Sequence, residues 1–309
     1  MKYKHNKQNG SALISALLLV LVIASLTTAW ISQTHFHIRF QRQVNENSQA
    51  RMLSEAAKIW TVEVLKQKTF HQTQPVIAKM PSQNIPLPPK WQIQAELTDA
   101  QAKINLNTIT EQSLRLSFYM LMKEVLKDEP NVSLDDIYYA TTSWIDPNIF
   151  RSRFGQYQNQ YAKASPPYQA GGQPMQTLEE FYSVYGVTPR IYQKLKPYIT
   201  VIPESVPINL NTCDEKIIKS LRPGLKDAQV KRILFARGDR GFRTINELFA
   251  VLEEFKIPVQ NVTTRSQYFW LEVKVTSPSH HRWVSKYLVY RRLVDKTKNT
   301  KVIILQHGN

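Results

Sequence analysis

The chain has 309 residues, 42% of them hydrophobic, with 40 Lys and Arg against 24 Asp and Glu for a formal net charge of +16. That length leaves room for about two domains, and that apolar content excludes a disordered chain. The one cysteine, Cys213, excludes an intramolecular disulfide and reads as a small core residue rather than a reactive thiol.

The charge is unevenly spread, with Lys2, Lys4 and Lys7 unopposed in the first ten residues and nine basic against two acidic side chains in residues 263–309, while the middle is near neutral. The basic decapeptide ends in Gly10 and enters a charge-free apolar run over residues 11–31. About 20 such residues in a helix match a hydrocarbon core of ~30 Å. Positive-inside logic leaves the decapeptide in the cytoplasm and sends the rest of the chain across the membrane. A cleavable secretory signal with its exit at Thr27, Thr28 and Ala29 is the alternative, although such a core runs only about 7 to 15 residues. Neither Gly nor Pro occurs from residue 11 to 74. Phe36, Phe40 and Val44, then Leu53, Ala57, Trp60 and Val64, recur at helical spacing, so one helix is expected to continue to about Lys68, on the order of 90 Å long.

Gly10 followed by SALIS at residues 11–15 resembles the type IV pilin and pseudopilin superfamily. The resemblance implies cleavage after Gly10 by prepilin peptidase and methylation of the new N-terminal amine at Ser11. The sequence departs from the family in two places: Ser11 stands where Phe or Met is usual, and Ser15 stands where most members have Glu. That Glu neutralises the amine of the subunit added before it, and a carboxylate in a bilayer is retained only where a partner exists. A subunit with Ser15 has little need of a neighbour above it, which suits the first position of a filament. Within the superfamily, the type II secretion minor pseudopilin K lacks this Glu.

After the helix, the proline-rich residues 75–89 form a connection, and residues 91–97 (WQIQAEL) alternate as a strand. Three further strands are expected at residues 267–276, 283–292 and 301–306, with turns at residues 277–279 and 296–299. Strands therefore flank a long helical middle, and the expected fold is α+β. It is a pilin-like long helix on a small antiparallel sheet, with a large helical insertion.

The insertion contains an internal echo: INLNT at residues 104–108 returns at 208–212, each copy followed by polar residues and an apolar helical pattern, so that its Asn or Thr can cap a helix start. Core candidates of the first unit are Leu114, Phe118, Leu121, Ile137, Trp144, Phe181 and Leu195. The second unit, with PGL at residues 223–225 and GFRTINEL at 241–248, resembles a helix-hairpin-helix or SAM-like module. Helix-hairpin-helix modules present Gly-rich backbone to phosphate, so a membrane-anchored DNA-binding or DNA-uptake protein is the alternative function. Against it stand the single Gly224 in the hairpin, a surplus of only three positive charges in residues 206–262, and a location outside the cytoplasm. A protein-contact role with no nucleic acid is therefore preferred. The layout expected is a leader at 1–10, a membrane segment at 11–31, helix, linker and first strand at 32–100, SAM-like units at 101–205 and 206–262, and C-terminal strands at 263–309.

The resemblance to protein K covers nearly the whole chain and implies a set of partners: I-type and J-type minor pseudopilins, the major pseudopilin, prepilin peptidase and the inner-membrane secretion platform. It implies a single-pass protein of a Gram-negative inner membrane, with a periplasmic C-terminal part that initiates and caps the pseudopilus. It also points to a calcium loop after Trp144, where Asp146 and Asn148 are the candidate ligands. Arg151 and Arg153 occupy positions where further acids would be expected, and two oxygen donors fall short of the ~6 to 8 that calcium takes. An Asp that turns the chain before Pro147 is the competing reading.

No catalytic constellation emerges. His35, His37, His71, His280, His281 and His307 show no metal-protease spacing, and neither a nucleophile elbow nor a P-loop occurs. Adjacent His280 and His281 would face opposite ways in extended backbone. Tyr157, Tyr161 and Tyr168, spaced among Gln and Asn, resemble a surface loop.

Overall fold

A computed structural model describes residues 9–67, 73–81, 87–292 and 301–308. Lys2, Lys4 and Lys7, part of the proline-rich connection and the turn expected at 296–299 lie outside the described residues. Helix α1 runs from Asn9 to Lys66 without a break, as the absence of Gly and Pro after residue 10 permits.

Five antiparallel strands form the sheet, in the order β1 (Val76–Lys79), β2 (Gln92–Asp99), β7 (Tyr268–Thr276), β8 (Arg282–Arg292) and β9 (Lys301–Gly308). Alternation sends Ile93, Ala95 and Leu97 of β2 and Leu271, Val273 and Val275 of β7 inward, where they meet Ala50, Leu53, Ala57 and Leu65 of α1. Small Ala50 and Ala57 let the helix lie close on the sheet, and each large buried apolar side chain contributes on the order of 1.5–3 kcal/mol. Strand β1 was not expected within the proline-rich stretch. It is a four-residue edge strand just past Pro75, a position where a missing N–H is tolerated.

The sheet has a defined orientation on the helix. The turn between β7 and β8 lies against the middle of α1: Ser279 Oγ donates to Glu46 at 2.7 Å, Ser277 Oγ donates at 3.2 Å, and His281 Nδ1 is 3.1 Å from the same carboxylate. Beside it Trp283 Nε1 donates to Asn47 Oδ1 at 3.0 Å and stacks on Trp91. The opposite end of β2 reaches past the end of α1, where the Asp99 N–H donates to the Pro75 carbonyl at 2.8 Å.

From that far end the insertion departs. β2 and β7 are paired up to Asp99 and Phe269, and the segment between them folds into two helical units. The first contains β3 (Ile104–Asn105), α2 (Gln112–Val125), α3 (Leu134–Ile145), α4 (Arg151–Ala162), α5 (Pro189–Leu195) and β4 (Ile199–Thr200), with β3 and β4 parallel. The second contains β5 (Ile208–Asn209), α6 (Glu215–Ser220), α7 (Asp227–Arg237), α8 (Ile245–Phe255) and β6 (Val262–Thr263), with β5 and β6 parallel. All seven core candidates of the first unit are buried in a core continuous with that of the second, where Cys213 is also enclosed.

The sequence echo has a structural counterpart. Asn107 clamps Met175 by both backbone groups, accepting from its N–H at 2.8 Å and donating to its carbonyl at 2.9 Å. Asn211 does the same to Phe242, at 2.7 and 2.9 Å. Asn105 and Asn209 turn back on the N–H groups of Asn107 and Asn211. The INLNT asparagines thus tie each unit's entry to a distant loop, instead of capping its first α-helix as expected: Asn105 caps only a 3-10 turn, α2 has no side-chain cap, and α6 is capped by Asp214.

Tyr157 and Tyr161 correct the surface-loop expectation. They are four apart on α4, so they share a face, and both are buried, with Tyr161 edge-on to Trp144. Tyr168 remains partly exposed, its hydroxyl donating to the Ser183 carbonyl.

Candidate assembly surface

Residues 13–31 of α1 are exposed throughout, and the helix has the length and apolarity to cross a membrane. Its hydroxyls are compatible with lipid because they bond back to the helix, Ser25 Oγ to the Val22 carbonyl and Thr27 and Thr28 Oγ1 to those of Ile23 and Ala24, each at 2.8 Å. Gly10 and Ser11 open this helix and Ser15 lies one turn further on, exposed. The apolar surface continues beyond the membrane length through Phe36, Ile38, Phe40 and Val44. Further along, where one face of α1 is buried on the sheet, Met52 and Ile59 stay 72% and 67% exposed on another. They are seven residues apart, the spacing that aligns side chains for a neighbouring helix.

The hairpin of the second unit has a different character from a phosphate cradle. Gly224 sits at φ +77, the left-handed turn its lack of Cβ allows. Leu225 is buried, and Lys219 spends its charge on Asp227 at 2.7 Å and Glu124 at 2.9 Å. Asp227 begins α7, so a carboxylate already occupies the helix N-terminus where an incoming phosphate would bind. Arg222 and Arg237 are turned onto backbone carbonyls, those of Phe255 and of Leu210 and Cys213. Lys219, Arg222 and Arg237 are thus engaged within the protein, which weakens the electrostatic attraction that the DNA-binding alternative needs.

At the loop after Trp144, Asp146 Oδ1 accepts the N–H of Asn148 at 2.9 Å and the Asp146 N–H closes the end of α3 on the Thr142 carbonyl. This is a turn-forming aspartate, and Arg153 lies over the Tyr139 ring at 3.9 Å instead of pairing with it. Among the described residues no three His, Cys, Asp or Glu side chains are grouped to hold a metal.

Two polar clusters escaped the sequence reading. One is the Glu46 cradle already described, in which the Ser279 hydroxyl first, with His281 and Ser277, holds the carboxyl below the usual range against the opposing effect of burial. The other is Asp99, 2% exposed, whose Oδ1 accepts from Gln101 N–H at 2.8 Å and whose Oδ2 accepts from Asn209 Nδ2, Thr212 Oγ1 and Ser266 Oγ at 2.9, 2.6 and 2.7 Å. Burial pushes its pKa up while the four donors oppose that rise. This one carboxylate ties the sheet to both ends of the second unit. A signal was present: Asp99 falls in the inward register of Ile93, Ala95 and Leu97, a charged residue at a core position.

Sequence profiles of the family described as type II secretion system (T2SS), protein K match residues 102–204 and 208–264, together a little over half of the chain. The chain belongs to that family. The matched segments are the two helical units, so the insertion carries the family signature. Among relatives, a putative type II secretion system protein K of Escherichia coli K12 is 27% identical over 264 residues, covering 78% of each chain. The type II secretion system protein K of Pectobacterium carotovorum is 24% identical over 224 residues, covering 68% of each. Among solved structures, a chain of the GspK-GspI-GspJ complex from enterotoxigenic E. coli matches with a TM-score of 0.68 and 23% identity, over 87% of this chain and 99% of that one. The α+β architecture of long helix, antiparallel sheet and helical insertion is thus that of a protein K fold, and the chain is a minor pseudopilin of the secretion apparatus.

Proposed function

We propose that this pseudopilin occupies the tip of the pseudopilus, where it initiates the filament and closes its end without catalysing a reaction. The observation that carries this reading is the placement of the insertion. The β7–β8 turn lies at Glu46, nearer the membrane segment, and the insertion leaves from the opposite end of the sheet at Asp99. A filament that grows by adding subunits from the membrane has its tip at that far end, so two helical units there leave no room for a subunit above.

On this reading the basic leader stays cytoplasmic, prepilin peptidase cuts between Gly10 and Ser11, and the Ser11 amine is methylated. Residues 11–31 cross the inner membrane of a Gram-negative cell, and the remainder folds in the periplasm in the layout of units described. Ser15 marks the place of the missing Glu. The exposed apolar strip of α1 packs against the helices of I-type and J-type minor pseudopilins, in keeping with the complex named for the structural relative, and below them lie the major pseudopilin and the secretion platform.

Because Asp99 and Phe269 already face each other, residues 100–268 can be replaced by an Asn-Gly turn that joins β2 to β7 as a hairpin. In a strain lacking the native gene, this variant should accumulate in the membrane yet fail to support secretion. Normal secretion would overturn the capping role. A methylated Ser11 in the mass spectrum of the mature protein tests the processing, and an N-terminus near Trp30 would refute it.

A further inference from the structure

Between the outer face of the sheet and the first helical unit lies a cleft of about 330 Å³. Trp270 and the apolar side chains of Leu178 and Ile199 line it with four lysines, of which Lys274 pairs with Glu272, while the amines of Lys103, Lys196 and Lys286 come from three separate elements. Trp270 is held in place by its Nε1–H, which donates to Thr200 Oγ1 at 2.9 Å. These amines have little compensation. Lys103 Nζ has a long hydrogen bond, 3.4 Å, to the Lys196 carbonyl. Lys286 stands opposite Glu272 across β7 and β8, but Glu272 pairs with Lys274 instead. Among the described residues none of the three amines has a carboxylate within ion-pair distance. Burial first, then repulsion from Lys286 and Lys196, pushes the Lys103 pKa down to about 8.

With Glu96 paired to Lys79 and Glu272 to Lys274, Glu179 is the one cleft carboxylate left, among the described residues, against three amines, so the cleft is short of negative charge. Glu96, Glu179 and Glu272 also line the cleft, and their charge disfavours a polyanion such as nucleic acid. The match is to a single negative charge beside an apolar group. We propose that this cleft binds a peptide segment of a partner protein, seating one carboxylate among Lys103, Lys196 and Lys286 with a neighbouring apolar side chain against Trp270.

The test uses the full chain in detergent micelles, succinimidyl acetate at pH 8 and peptide mass spectrometry to follow acetylation of Lys103. The probes are acetyl-Leu-Asp-Leu-amide, its Asn analogue and sodium acetate at equal concentration. The Asp peptide should slow Lys103 acetylation at least threefold, with no change at Lys256, which caps α8 and does not line the cleft, whereas the Asn peptide and acetate should leave the rate unchanged. Lys286→Gln, a change on a strand face that preserves the melting temperature, should reduce the protection at least twofold. Equal protection by the Asn peptide would overturn the charge recognition, equal protection by acetate would overturn the peptide assignment, and no protection by the Asp peptide would overturn the site. None of these outcomes depends on where the subunit sits in a filament, so the site and the tip reading fail separately.

Discussion

Asp99→Ala is the most demanding perturbation of this fold, because one side chain joins the sheet to the second helical unit. Its removal takes the acceptor from the Gln101 N–H and from one of the two Nδ2–H groups of Asn209, whose other bond, to Ser266 Oγ at 2.9 Å, remains, while the Thr212 and Ser266 hydroxyls can rotate, Thr212 toward the Asn209 carbonyl at 3.4 Å. A buried donor left without a partner costs about 1–3 kcal/mol, so the two together predict a loss of roughly 2–6 kcal/mol, offset by whatever it costs to bury the carboxylate in the native protein. In a unit of this size, 1 kcal/mol corresponds to about 2–4 °C, and melting followed by circular dichroism should fall by roughly 5–15 °C. Asp99→Asn should fall less, since the orientation that places Nδ2 in the position of Oδ1 sets it against the Gln101 N–H alone and keeps an acceptor for the other three donors. Thr212→Val in the Asp99→Ala background should cost much less than in the native protein, because both changes act on one network. A drop below about 3 °C for Asp99→Ala, or full additivity with Thr212→Val, would refute the keystone role.

Glu46→Gln tests the clamp between helix and turn. Because the Glu46 carboxyl is held below its ordinary value, its stabilisation is present above the ordinary carboxylate range and is lost as pH falls through the folded-state value. The variant should therefore lose about 1 kcal/mol at pH 7 and show a shallower decline in melting temperature between pH 5 and pH 3 than the native protein; an unchanged slope would remove the clamp as the cause. The Cys213 thiol, pushed up to about 12 by burial, should not react with a disulfide reagent at pH 8 until urea unfolds its unit, and rapid labelling of the folded chain would contradict the buried-core assignment. Ser15→Glu places a carboxylate in the apolar span at about 2.5–3.5 kcal/mol if unpaired, so secretion assayed in cells should fall, and full secretion would show that the tip position supplies a partner for it.

The coarse fold was legible because its signals are periodic. Absence of Gly and Pro and the helical spacing predicted a helix to about Lys68, and it ends at Lys66; period-two alternation placed β2, and strand-like runs bounded by turns placed β7, β8 and β9. What escaped depends on long-range partners. Tyr157 and Tyr161 look like a polar loop because Gln and Asn surround them, and only the packing of α4 on Trp144 shows that the tyrosines face inward. β1 was hidden by prolines, which mark an edge strand as readily as a loop. The Glu46 cradle joins residues more than 230 positions apart, a separation at which no local pattern carries information.

The INLNT echo shows how duplicated sequence can diverge in connection while keeping its internal logic. In both copies the second Asn, Asn107 or Asn211, clamps both backbone groups of one distant residue, so each unit closes its own loop. The first Asn differs. Asn105 donates to the carbonyls of Ile202 and Glu204, at its own unit's exit, whereas Asn209 donates to Asp99 and Ser266, beside the two strand ends. Through this Asn the first unit is secured to its own exit and the second to the sheet. Both units nonetheless bond to the sheet, the first through Thr200 Oγ1, which accepts from Trp270 Nε1, and through Gln101 Oε1, which accepts from the N–H groups of Gln267 and Tyr268. Mechanical load passed from the helical units to α1 is therefore shared between these bonds and Asp99, the buried carboxylate through which the second unit reaches the end of β2.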